Sequence, residues 1–126
     1  MDLSGMKLLP QGADPALLEK LQLPADVRAF LARNDGGRGT VGQRQRPLVL
    51  WSAEQIAREA EEQEVTLATP GLILFGTDGG AEGYGYLPRL KRGRYGRISL
   101  LAAGPHEFES LGDSLEELVT ALSEGR

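Results

Sequence analysis

Apolar side chains recur along this chain at two different spacings, and the switch between them separates helical ends from a stranded middle. Leu17, Leu18 and Leu21 follow Asp14-Pro15 at helical intervals, and an aspartate cap with proline in the first turn is a helix start. A second helix opens at Leu23-Pro24, carries Val27, Phe30 and Leu31 on one face, and stops at Asn34-Asp35-Gly36-Gly37, because asparagine and glycine tolerate the conformation that ends a helix. Gly37 to Arg46 lacks apolar periodicity and reads as a loop or a weak edge strand. Leu48-Val49-Leu50-Trp51 is short, branched and apolar, as a strand is. Ser52 and Gln55 then have capping-box spacing, which predicts a helix running to about Glu62.

Thr69-Pro70-Gly71 breaks the chain before the run Leu72 to Phe75. Asp78-Gly79-Gly80 separates that run from Tyr84 to Tyr86, and glycine supplies the positive φ of a tight hairpin turn. Tyr95 to Leu101 reads as a further strand, reached through a turn at Arg92-Gly93. Asp113 and Glu116 have the spacing of another capping box, and Leu115, Leu118, Val119 and Leu122 form one helical stripe. Segregated runs of helix and strand predict an α+β fold: an antiparallel β-sheet meander with N-terminal helices and a closing C-terminal helix packed on it. One domain is expected over residues 1–126, with its core at about 14–124.

Composition narrows the chemistry. The chain has no cysteine, which removes disulfides, thiolate metal sites and cysteine nucleophiles and points to a cytoplasmic protein. Its apolar runs are far shorter than the roughly 18 residues of a membrane span, and Met1 to Lys7 lacks the pattern of a secretory signal. Fourteen basic and eighteen acidic residues leave a formal charge of −4, which disfavours nucleic acid and anionic membranes as partners. The charge is unevenly placed: Arg89, Lys91, Arg92, Arg94 and Arg97 form a run without an acid, while Glu54 to Glu64 and Glu107 to Glu124 are acid-rich.

Gly37-Arg38-Gly39-Thr40-Val41-Gly42 matches G-x-G-x-x-G, but a helix precedes it where a dinucleotide site needs a strand, and Pro47 follows where a helix should begin. Asp78 and Glu82 offer too few oxygens for calcium, and an aspartate in a hairpin turn bonds its own backbone. His106, the single histidine, excludes a multi-histidine zinc site and reads as a loop residue. The basic run around Tyr95 has the look of a single-strand nucleic-acid strip; a solvated hairpin edge whose charges block edge-to-edge pairing explains it more simply. No catalytic residue, metal or cofactor is assigned, and no enzyme is expected. Tyr84 and Tyr86 share one sheet face and Gly83 and Gly85 the other. A helix of the same domain packed on the glycine side, with both tyrosines in or beside the core, is the plainer reading; a tyrosine patch for a partner is the other.

Taken in order, Leu23-Pro24-Ala25-Asp26-Val27-Arg28-Ala29-Phe30-Leu31, Asn34 to Gly42, Leu50-Trp51 with Ile56, Phe75-Gly76-Thr77-Asp78-Gly79-Gly80 and Gly112 to Leu118 resemble the SUKH superfamily of Smi/Knr-like domains. Two positions depart from its pattern: Asp35 is inserted between Asn34 and the glycine pair, and Ala81 stands where a third glycine is usual. The resemblance implies a non-enzymatic α+β binding domain of the bacterial immunity type, whose partner is a cognate toxin domain, often a nuclease or deaminase; a Smi/Knr-type regulatory adaptor is the alternative. Under either reading the expected contact residues are Asp78, Glu82, Tyr84, Tyr86, Glu59, Glu62, Asp113 and Glu116, with the carboxylates of Glu61, Glu64 and Glu117 adding to a field suited to a basic toxin.

Overall fold

A computed structural model describes residues 1–101 and 107–126. Among them seven strands form one antiparallel sheet in which each pairs with its sequence neighbours: β1 (Met6–Leu8), β2 (Gly37–Val41), β3 (Arg46–Leu50), β4 (Ile73–Thr77), β5 (Glu82–Tyr86), β6 (Tyr95–Ser99) and β7 (Glu109–Gly112). Five helices accompany it: α1 (Pro15–Lys20), α2 (Ala25–Arg33), α3 (Ala53–Glu62), α4 (Glu64–Ala68) and α5 (Leu115–Ser123). The α+β meander predicted from the pattern is therefore observed, with strands at both edges and a short α4 that the pattern did not announce. His106 lies outside the described residues.

The helix starts follow from capping chemistry. Asp14 accepts a hydrogen bond from the Ala16 N–H at 3.0 Å with Pro15 in the first turn, and Ser52 Oγ accepts from the Gln55 N–H at 3.1 Å. The inserted Asp35 has a structural use: its carboxylate accepts from the Ala53 N–H at 2.8 Å, so α3 begins with two of its unpaired backbone donors satisfied from side chains. At α5 the predicted box is displaced by one residue. Ser114, not Asp113, is the cap and accepts from the Glu117 N–H at 3.0 Å, while Glu117 reaches back to the Asp113 N–H. Asp113 is still leaving β7, and its own carboxylate accepts from the Gly93 N–H.

Gly37 to Val41 is corrected from loop or edge to an interior strand, flanked by β1 and β3. Its glycines hide the strand from a pattern reading, yet they permit the approach: a Cβ on Gly37 would fall 2.7 Å from the Lys7 carbonyl oxygen.

Register fixes which face meets the helices. Tyr86 pairs with Ile73 and Tyr95, and Tyr84 with Gly76 and Arg97, so these positions share a face. The Tyr95 hydroxyl on that face donates to Asp26 of α2, and Leu50, three strands away on the same face, packs with Val27, Phe30, Leu31, Ile56 and Leu115 from α2, α3 and α5. The helices therefore cover the tyrosine face, which corrects the expectation of a helix on the glycine side. Gly83, Gly85 and Gly96 face away, where Leu74 and Ile98 are buried beside Leu100 and Phe108. A Cβ on Gly96 would sit 2.0 Å from the Glu109 carbonyl oxygen, so that strip is bare because adjacent strands close on it. A register shift at Phe75 brings this ring to 6.2 Å from Tyr95 in the core.

Candidate functional site

The predicted contact residues do not converge. Asp78 and Glu82 close the β4–β5 hairpin: Asp78 Oδ1 accepts from the N–H groups of Gly80 at 2.8 Å and Glu82 at 3.2 Å, an internal turn bond that occupies the carboxylate. Glu82 Oε2 lies 3.8 Å from Arg97 Nη1, and Arg97 also bonds Glu109 and the Arg126 carbonyl. Tyr84 is completely buried beside this cluster and is a core residue, not a surface contact. Burial pushes its phenol pKa up, with Asp78 and Glu82 adding to the shift and Arg46 opposing it. Asp113 and Glu116 are exposed at the start of α5. Since Tyr86 pairs with Tyr95 and Tyr95 with Gly112, these two acids stand at the other end of β5 from Glu82, about 13 Å along the strand direction. Glu59 and Glu62 are on α3, where Glu59 accepts from Gln63 Nε2 at 2.8 Å and Glu62 is exposed. The acids are thus spread over three regions. Among the described residues no group of three or more His, Cys, Asp or Glu side chains is placed to hold a metal ion.

Tyr86 is in a different setting. It is half-buried, its ring meets Tyr95 edge-on at 5.1 Å and 61°, and it forms part of the floor of a cleft of about 450 Å³. Lys20 to Leu23, between α1 and α2, make one wall; Ile56 and Ala60 of α3 make another; Gly71 to Leu74 and Pro88 complete it. Ile73 lies beside Tyr86 because the two pair across β4 and β5. Among the described residues the lining is apolar apart from Gln22 and Lys20, and no carboxylate belongs to it. A cleft of this size with an aromatic floor accepts a large apolar side chain. Among the described residues no helix is long and apolar enough to cross a membrane.

Two features escaped the sequence reading. The cleft residues Leu21, Ile56 and Ala60 carry the same signature as core positions, because only the arrangement of α1, α3 and β4 leaves a gap between them. Asp26 reads as an ordinary first-turn acid of α2, yet its two oxygens accept from Tyr95 and from the Leu115 N–H at 2.8 Å, joining α2, β6 and α5. Burial first, and the bond to Asp26 next, push the Tyr95 pKa well above the usual phenol value.

The sequence profile of the SMI1 / KNR4 family (SUKH-1) matches residues 16–121. No curated protein matches the chain.

Proposed function

The chain belongs to the SMI1 / KNR4 family (SUKH-1), and from that premise we propose that it works as an immunity protein, neutralising a bacterial toxin domain by binding it directly. The observation that supports this most is the Tyr86 cleft: a preformed, mainly apolar recess of about 450 Å³ on the helical side of the sheet, with no activated nucleophile or acid/base pair in its lining. Such a recess suits an anchoring side chain of a protein partner, the kind of contact on which interface energy concentrates. Tyr86 remains a contact residue in this reading. Tyr84, Asp78 and Glu82 serve the core and the hairpin turn.

Co-expression with any toxin domain found encoded beside this chain tests the proposal, scored by cell survival and by co-purification. The informative variant is Ala60→Trp. Ala60 is exposed on α3 and lines the cleft, so an indole there fills the recess without disturbing the core. Survival with the native chain and its loss with Ala60→Trp, at unchanged circular dichroism, is the expected result. A toxin that kills equally with and without the native chain refutes the immunity role; a different cellular protein co-purifying through the same cleft would point to the Smi/Knr-type adaptor.

A further inference from the structure

We infer that the Tyr86 cleft receives an acidic segment of the partner, with an apolar side chain in the recess and carboxylates held at its rim. The inference rests on the protein-binding reading above and names the chemistry of what enters the cleft. Lys20 is the one ionised side chain in the lining; it is exposed and, among the described residues, has no carboxylate partner. Pro88, also in the lining, belongs to the β5–β6 connection, which presents Arg89, Lys91 and Arg92 to solvent, again without an ion pair among the described residues.

Among the described residues none of these cations is ion-paired, although Asp113 lies at the loop's turn, where its carboxylate accepts from the Gly93 N–H. Arg94 turns back to bond the Leu90 carbonyl at 2.7 Å and Arg97 is held by Glu109, whereas the three residues at the loop tip keep their full charge toward solvent. The chain's formal charge of −4 does not decide the sign at this spot, since fields are largely screened beyond about 8 Å at physiological salt. Glu19, exposed, precedes Lys20 at the end of α1, and further acids near the cleft are on α3, where Glu59 and Glu61 flank Ala60 and Glu59 is engaged by Gln63. The α3 acids repel carboxylates from that wall and so orient an acidic occupant toward Lys20 and the loop. Apolar anchoring in the recess supplies affinity, and the cationic rim selects the sign and speeds encounter.

Fluorescence anisotropy on the full chain tests this with three labelled peptides of equal length. Each carries two leucines on one helical face, in a background of glutamate, lysine or serine. The acidic peptide should bind at least about tenfold tighter than the other two, and its affinity should fall steeply with salt. Ala60→Trp should weaken it about tenfold or more by filling the recess. The combined variant Lys20→Gln, Arg89→Gln, Lys91→Gln, Arg92→Gln should weaken it as much and flatten the salt dependence. Equal or tighter binding of the lysine or serine peptide, no binding of any peptide, or full affinity in the glutamine variant overturns the inference. So does concentration-dependent dimerisation that Ala60→Trp abolishes, which would make a second copy the occupant. In the toxin co-purification assay the two readings separate: loss with Ala60→Trp but not with the glutamine variant keeps protein binding and sinks the acidic segment, loss with neither keeps protein binding and sinks the cleft as its site, and no co-purification with the native chain sinks both.

Discussion

Replacing Asp26 by alanine should destabilise this protein more than any other single change at a half-exposed position. Asp26 is only partly buried, yet it accepts from Tyr95, 69 residues away, and from the Leu115 N–H, 89 residues away, while also accepting from Val27 in its own turn. Hydrogen bonds to a charged acceptor contribute about 1.5–3 kcal/mol each, and a donor left unsatisfied out of water costs a similar amount. The Val27 bond is local and counts for little. The two long-range bonds, discounted for partial solvent access, amount to about 3 kcal/mol, a large share of the roughly 5–15 kcal/mol typical of a domain. Asp26→Asn should lose less, because its amide oxygen still accepts from the Leu115 N–H while its NH2 donates to the Tyr95 hydroxyl, so chiefly the charge is lost. Urea unfolding followed by Trp51 fluorescence reads this directly, since the indole is 4% exposed in the fold. A double-mutant cycle with Tyr95→Phe isolates the hydroxyl bond, with an expected coupling of about 1 kcal/mol or more. If Asp26→Ala lies within about 0.5 kcal/mol of the native chain, the claim that this carboxylate joins α2, β6 and α5 is wrong.

Two further predictions concern alkaline pH and the glycine face. Tyr84 and Tyr95 both have pKa values raised above the ordinary phenol value of 10.0. The unfolded chain therefore releases their protons at lower pH than the folded one, so their contribution is fully present below pH 10 and declines as pH rises beyond it. Urea midpoints should be level from neutrality to about pH 9.5 and fall above pH 10, with a shallower fall in Tyr95→Phe; a midpoint constant to pH 11 would count against it. Gly96→Ala should cost more than about 2 kcal/mol, because its Cβ meets the Glu109 carbonyl oxygen at 2.0 Å and two strands must part. Gly79→Ala should cost only about 1 kcal/mol, since nothing lies within 4 Å and only its φ of +87° is strained. Equal losses at the two sites would refute the steric argument.

The order of elements was legible because caps and turns are local. Asp14-Pro15, Ser52-Ala53-Glu54-Gln55 and Asp78-Gly79-Gly80 each act within a few residues and are found where their spacing places them. The first two strands were harder. β1 has three residues, and β2 is largely glycine and polar side chains, so neither shows the alternation by which strands are recognised; their pairing comes from the neighbours that flank them. The direction in which the tyrosines face was not legible either. Alternation tells that Tyr84 and Tyr86 agree, but which side the helices take depends on Asp26 meeting Tyr95 across 69 residues. The same holds for the site: Tyr86 stood out as an aromatic beside glycines, while Lys20, Ile56 and Ala60 belong with it only through the packing of α1 and α3 against β4.

The cleft and the Asp26 junction are mechanically one arrangement, and this yields a prediction that stability alone does not make. Tyr86, on the cleft floor, rests edge-on against Tyr95; Tyr95 is held by Asp26; and Asp26 opens α2 three residues after Leu23 of the cleft wall. Two sides of the recess are therefore referenced to one carboxylate. Asp26→Ala frees the Tyr95 ring and the start of α2 together, so at a temperature where it remains folded it should bind the acidic peptide about fivefold to tenfold more weakly. Gly42→Ala, whose Cβ would meet the Ser123 carbonyl oxygen at 2.3 Å at a φ of +77°, strains the β2–β3 turn, which is no part of the cleft lining or of these contacts. It should lose comparable stability and keep its affinity while folded. Matching affinity losses in the two variants would mean that binding merely follows global stability, and would refute the coupling between the Asp26 carboxylate and the cleft.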